Sequence, residues 1–211
     1  MLATLYSLFV EYFARCYYKN MKKIILASAS PRRKELLEKI GLKFEIVSSD
    51  YEEDMSLKMK PLALAKFLSR GKAESVAKKY KNHVIIAADT FVALGDELLG
   101  KPHLASEAEK MLRKISGKVV SIITGYTIID TAEKKQISNV SEAKVHMKKL
   151  TAEEIKNYVK TEEPLDKAGA FAVQGIGSVL IKKIEGDFFG IVGLPLYDLA
   201  QSLKKMGIKI I

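Results

Sequence analysis

The chain has 211 residues, 48% of them apolar and 28% charged, with a formal net charge of +10. That length can bury a full core in one domain, and the composition describes a globular protein, neither disordered nor fibrous. The single cysteine, Cys16, excludes a disulfide framework, nothing has Cys/His zinc spacing, and a cytoplasmic setting is expected, while the net positive charge favours anionic partners such as nucleotides, nucleic acid or acidic lipid, although the lysines are scattered along the whole chain and mark no single patch.

Residues 1–20, MLATLYSLFVEYFARCYYKN, differ in character from the rest. Glu11 and Arg15 interrupt an apolar run too short to span a bilayer, and no basic n-region or cleavage site marks a signal peptide. Leu5, Leu8, Phe9, Tyr12, Phe13 and Cys16 recur at helical spacing, which allows an amphipathic helix packed on the body or on a membrane surface. The simpler expectation is an extension absent from the native protein, with translation beginning at Met21 and residues 21–211 forming a single domain.

From Met21 strands and helices alternate. Residues 23–27 read as a strand, and Ser30-Pro31 opens a helix with an N-cap and a first-turn proline, closed by Gly41. Residues 44–48 form a second strand, and a long helix runs from Pro61 to about Tyr80. Residues 83–94, HVIIAADTFVAL, form a strand that returns as a hairpin across Gly95-Asp96 into Glu97-Leu98-Leu99. Ser106 caps the next helix, which Gly117 ends. Residues 118–130 and 135–150 are long β-runs joined by a polar turn, and Thr151-Ala-Glu-Glu154 is a capping box. After a Gly-rich loop, residues 178–184 and 188–192 are expected to pair as a hairpin across Glu185-Gly-Asp187, and a last helix begins near Pro195. No repeat or linker appears, so the expected architecture is one α/β domain built on a mixed β-sheet with flanking helices.

The stretch GDELLGKPH places Gly95, Gly100 and Lys101 at the spacing of a phosphate-binding P-loop, but Pro102 stands where that loop needs a hydroxyl. Proline offers neither a hydroxyl nor an N–H, and it turns Lys101 away from helical angles. The stretch is read as a hairpin turn and return strand, with Lys101 at a strand end.

Three polar groups need explaining. In LASASPRRKELL, residues 26–37, a strand ends in small residues and a helix starts, so backbone N–H groups and the guanidinium groups of Arg32 and Arg33 point the same way. That arrangement suits a polyphosphate, and a capped helix with two solvated arginines explains it equally well. Asp89 lies within an apolar strand, where a carboxylate must be paired, hydrogen-bonded or metal-bound. The loop EEPLDKAGAFAVQG, residues 162–175, mixes Glu163, Asp166, Lys167 and Gln174 with small residues that let backbone approach a ligand.

LASASPRRKELL, AADT, LLGKP, EPLDKAGAFAVQG and IEGDFFGIVGLP, in this order, closely resemble the Maf family of nucleoside triphosphate pyrophosphatases. The likeness covers nearly the whole chain from Met21 onward. It implies a Maf/ITPase-like α/β fold with an active-site cleft between two lobes, often as a homodimer. It also implies hydrolysis of a nucleoside triphosphate to the monophosphate and pyrophosphate with a divalent metal (Mg²⁺, Mn²⁺ or Co²⁺). Arg32, Thr90 and Gln174 match the dTTP/UTP branch, whereas the branch acting on 7-methyl-GTP tends to carry Tyr, Gln and Glu at those places.

Carried over position by position, the resemblance implies that Ser28, Arg32 and Arg33 grip the polyphosphate, with Lys72 and Lys101 as further cationic donors. Glu53 and Asp89 would hold the metal or orient the attacking water, with Asp89 as proton acceptor. Asp166 and Lys167 would complete the polar wall, and Gln174 with Thr90 would read the base. His83, His103 and His146 fall in no matched motif, so direct attack by water is expected without a covalent intermediate. Val120 and the pair Phe188-Phe189 depart from the family pattern at what read as packing positions. Two other functions stay open: a septum-formation regulator acting by binding, and a pyrophosphatase for non-canonical purine nucleotides. No helix-turn-helix, aromatic-basic strand motif or basic tail supports a specific nucleic-acid partner, and no membrane partner is expected.

Overall fold

A computed structural model describes residues 22–52, 54 and 57–211. The reading of residues 1–20 as an extension and the role expected of Glu53 fall outside the described residues.

Nearly uncharged and rich in β-branched residues, HVIIAADTFVAL forms the central strand β3 (His83–Leu94), almost entirely buried on both faces. It is flanked by β1 (Lys23–Leu26), which pairs in parallel, and β5 (Val119–Asp130), which pairs antiparallel. β2 (Glu45–Ile46) and β6 (Lys135–Met147) follow outward, and β7 (Ile181–Glu185) closes the far edge. The sheet order is β2-β1-β3-β5-β6-β7, with the short β4 (Glu97–Leu99) also on β3. The expected mixed sheet is observed.

One irregularity positions everything else. On one edge β3 pairs with β5 continuously from Val84 to Ala93, while its other edge is shared by two partners. β1 pairs only as far as Ile86, and β4 begins only at Val92. Between them the sheet forks, and the fork spans Asp89 and Thr90. Strand alternation sends these two side chains to opposite faces.

On the Thr90 face, two clusters are kept apart. Ile86, Ala88, Tyr126 and Ile128 pack with α1 (Pro31–Lys39) and α6 (Leu196–Lys205). Val92, Val120, Ile122 and Phe171 pack with α3 (Ala105–Ile115) and α4 (Ala152–Val159). The polar pair Thr90 and Thr124, neighbours across β3 and β5, separates them. This is the two-lobed arrangement with a cleft that the resemblance implies. The opposite face is covered by α2 (Pro61–Ala77), whose Leu64, Leu68 and Ala73 fill the space over Ile85, Ala87 and Phe91. α2 lies very close to the sheet at Gly125, where a Cβ would stand 2.1 Å from the Ala65 carbonyl oxygen. Ser69, one turn on, hydrogen-bonds Thr127 at 3.0 Å.

Three local expectations are corrected. Residues 188–192 are not a return strand but a short helix, α5 (Phe188–Val192), whose first turn is capped by the Asp187 carboxylate accepting from the Phe189 N–H at 2.9 Å. β7 pairs with β6 instead. An apolar run reads as a strand, but Asp187 supplies a helix cap, and Gly190, Ile191 and Val192 are buried while Phe188 at the start of the helix stays exposed. α3 begins at Ala105, not after Ser106, and its cap is the Glu107 carboxylate, which accepts from the His103 and Leu104 N–H groups. Ser30 sits at the N-cap of α1 without a side-chain cap bond, and its own N–H donates to Ser28 Oγ at 3.3 Å.

Candidate active site

Where β1 leaves β3, the Ala27 N–H makes a last bond to the Ile86 carbonyl at 2.8 Å and the chain turns into α1. The turn buries Ser28 and brings Arg33, three residues into α1, back over the fork. The Arg33 guanidinium donates to Ser28 Oγ from Nη1 (2.9 Å), to Thr90 Oγ1 from Nη2 (3.2 Å) and to the Gly193 carbonyl from Nε (3.2 Å). Thr90 Oγ1 lies 2.8 Å from Thr124 Oγ1, and Thr124 donates to the Gly190 carbonyl at 2.8 Å. One arginine thus ties the end of β1, the middle of β3 and the turn between α5 and α6.

Through the fork, on the α2 side, Asp89 meets Lys72. Lys72 Nζ donates to Asp89 Oδ1 at 2.6 Å, with the two side chains only 12% and 10% exposed. Ala65, Ser69 and Lys72 lie on one face of α2, so the close approach at Gly125 delivers the ammonium to the carboxylate. A buried carboxylate is tolerated because it is paired.

These groups open on one cavity of about 750 Å³. Ser28, Arg32, Arg33, Lys72, Asp89 and Thr90 line its sheet side, and Lys101, Asp166, Lys167 and Gln174 line the other. Every expected site residue within the described residues is therefore brought together, and none of the three histidines lines the cavity. Val92, Ile122 and Phe171 make an apolar floor. Lys101 lies just past Gly100 at the end of β4 and is exposed, and no helix starts until Ala105, so the near-match to a P-loop is a strand end.

The loop wall is held differently. The Gly169 N–H donates to the Gly100 carbonyl at 3.1 Å, tying the loop to the neighbour of Lys101. Asp166 and Lys167 form a close ion pair, whose hydrogen bond, with added attraction from Arg32 and Lys101, holds the Asp166 carboxyl below its usual range. Behind them Glu163 accepts from the Ile176 N–H (3.0 Å), the Gly177 N–H (2.7 Å) and the Tyr158 hydroxyl (2.8 Å). The Tyr158 oxygen in turn accepts from the Ala172 N–H at 3.1 Å. Burial pushes the Glu163 carboxyl up, but the three donors outweigh it and hold it below its usual range. The same burial, together with Glu163, pushes the Tyr158 hydroxyl well up. Gly175 and Gly177 make room for this unit: a Cβ on Gly175 would stand 2.1 Å from Glu163 Oε1, and one on Gly177 would stand 2.4 Å from the Tyr158 oxygen.

Sequence reasoning missed Thr124, Gly193 and the bracing role of Glu163 and Tyr158. Thr124, a buried hydroxyl next to Ile122 on the same face of β5, was the one available signal. Among the described residues no group of three or more His, Cys, Asp or Glu could cage a metal ion. The cavity carboxylates, Asp89 and Asp166, instead suit a cation held by one carboxylate together with substrate phosphates, the manner in which Mg²⁺ is commonly bound. No helix of the described residues is long and apolar enough to cross a membrane.

A family described as Maf-like protein matches residues 23–206. A Methanosarcina barkeri protein named dTTP/UTP pyrophosphatase is 51% identical over 191 residues, spanning 90% of this chain and 97% of the relative. One of the same name from Methanococcoides burtonii is 50% identical over 191 residues, spanning 90% and 98%. Another, from Thermoanaerobacter pseudethanolicus, is 49% identical over 184 residues, spanning 87% and 96%. The solved structure of a HAM1 protein from Coxiella burnetii matches with a TM-score of 0.50 at 13% identity, covering 88% of this chain and 100% of that one, a likeness of fold alone. With the whole described fold inside the match, and the forked sheet and its cavity built from the motifs that carried the resemblance, the chain belongs to the Maf-like protein family.

Proposed function

We propose that the protein hydrolyses dTTP and UTP, and modified pyrimidine triphosphates, to the monophosphate and pyrophosphate, clearing unwanted nucleotides from the cytoplasmic pool. The observation that carries this reading is the buried Lys72–Asp89 pair opening beside the Ser28–Arg33 turn into a cavity with further cations around it. The names of the relatives, which match nearly end to end, support it independently.

Arg32, Lys72, Lys101 and Lys167 offset the triphosphate charge, and such fixed charges act strongly in a site sheltered from water. Arg33 spends three donor contacts on protein oxygens, so it lends charge and holds Ser28 and Thr90 in place. Asp89 takes the proton as a water oxygen bonds to the α-phosphorus and the bond to the bridging oxygen breaks, releasing pyrophosphate. Lys72 occupies one Asp89 oxygen, leaving the other as acceptor. Asp89, together with Glu53 as the resemblance implies, would hold a divalent cation, which would supply charge neutralisation on the phosphates and lower the pKa of water. Thr90 and Gln174 read the base above the apolar floor. The active form is a homodimer.

Pyrophosphate release from dTTP, UTP, CTP, ITP and 7-methyl-GTP, with Mg²⁺ or Mn²⁺, tests the reading. Metal-dependent release from dTTP and UTP is expected, largely lost in Asp89→Asn. Release from ITP alone would move the protein to the purine reading, and release from none would leave a binding role in division.

A further inference from the structure

The hydroxyl chain behind the cavity has a direction. Thr124 is 1% exposed, and its only hydroxyl hydrogen goes to the Gly190 carbonyl, which has nothing to donate. In its 2.8 Å contact with Thr90, Thr124 must therefore accept and Thr90 must donate. Thr90 Oγ1 meanwhile accepts from Arg33 Nη2, and a guanidinium is a donor only. A hydroxyl has one hydrogen and two lone pairs. Thr90 has spent its hydrogen on Thr124 and one lone pair on Arg33, and it lines the cavity with one lone pair left.

We propose that Thr124 is a specificity-determining positioning residue: by taking the Thr90 hydrogen it makes Thr90 an acceptor only, matched to the N3–H of uracil or thymine and mismatched to the N3 lone pair of cytosine. The inference rests on the pyrimidine reading above and supplies its atomic cause. Uracil and thymine share the N3–H donor, so one lone pair serves both. Cytosine brings a lone pair against a lone pair, with no hydrogen available on Thr90 to turn toward it. Unpaired polar groups of this kind produce large discrimination, far beyond what shape alone gives. Thr124 touches no substrate. It acts only by fixing which way the Thr90 hydrogen points, and the Gly190 carbonyl in turn fixes Thr124.

The test is the ratio of kcat/KM for UTP over CTP in wild type, Thr124→Val and Thr124→Ser. Valine keeps the shape but frees the Thr90 hydrogen to rotate toward the cavity, so the ratio should fall about tenfold or more. Serine restores the acceptor and should keep the wild-type ratio. A merely structural role would lower both substrates together and leave the ratio unmoved, and that result overturns the proposal. So does a sharper UTP preference in the valine variant, which would place Thr90 against the 4-position of the base. Should Thr124→Val fail to fold, wild type decides with two analogues. N3-methyl-UTP, lacking the donor, should be a poor substrate, whereas 4-thio-UTP, keeping it, should be turned over like UTP. Equal turnover of UTP and N3-methyl-UTP overturns the proposal. If wild type releases pyrophosphate from neither UTP nor dTTP, the pyrimidine reading falls and the proposal with it. A wild type active on UTP with an unmoved ratio sinks the proposal alone.

Discussion

The two walls of the cavity reach the same end by different construction. The sheet wall takes its groups from regular elements: Asp89 and Thr90 from adjacent positions of β3, Lys72 from α2 and Arg33 from α1. Strand alternation and helix spacing aim these side chains, and they brace one another in pairs. The loop wall has three short 3₁₀ turns and no strand ladder. It also carries backbone in unfavourable regions, with Glu162 and Ala170 both near φ +60°. Its shape depends on one carboxylate, Glu163, gathering two N–H groups and a phenol. Damage to the Lys72–Asp89 pair of the first wall should therefore appear in the chemical step, and damage to the second wall in substrate binding.

The largest expected effect lies on the sheet wall. Asp89→Asn should lower kcat for UTP by about 10²–10⁴-fold, with the nucleotide still bound in a direct titration. Gly125→Ala should come next. Its Cβ would meet the Ala65 carbonyl at 2.1 Å and lift α2 with Lys72, costing about 1–3 kcal/mol by denaturant midpoint. Glu163→Ala attacks the loop wall by leaving its three donors without their acceptor. The stability loss should be about 1–3 kcal/mol, and KM should rise more than kcat falls. An equal fall in kcat without a KM change would erase the contrast between the walls.

Acid sharpens the same contrast. The Glu163 carboxyl is held below its ordinary value of 4.5 in the folded chain, so its contribution is fully present above that pH and fades as pH drops below it. Wild type should lose stability through that acid window more steeply than Glu163→Gln, which has no proton to gain. Parallel curves would show that Glu163 does not brace the loop. The smallest effect belongs to a cap away from both walls. Thr151 Oγ1 accepts from the Glu154 N–H at 3.2 Å, and Thr151→Ala should cost about 1 kcal/mol while UTP turnover stays unchanged.

Much of this was readable in the residues because local rules aligned with the fold. The long apolar run of β3, the proline at the start of α1 and the Thr151–Glu154 box each carry their own signal. Asp89 was legible as a charge in the wrong company. The misread segment was Phe188–Val192, where a buried helix and a buried strand share one apolar pattern and only the Asp187 cap tells them apart. Thr124, Gly193 and the bracing carboxylate stayed hidden for a different reason. Their partners lie 34, 160 and up to 14 positions away, so apart from the Thr124 hydroxyl among apolar neighbours no local pattern announces them.

The Arg33 clamp has a consequence for how the molecule comes into being. Its three acceptors belong to residues 5, 57 and 160 positions from it. Closing so long a loop costs entropy before any contact repays it, which makes such contacts late events in folding. A nascent chain that has made β1, α1 and β3 holds Arg33, Ser28 and Thr90, but Gly193 and Gly190 have yet to be synthesised. The pocket therefore reaches its working shape only when α5 and the turn after it dock, near the end of both synthesis and folding.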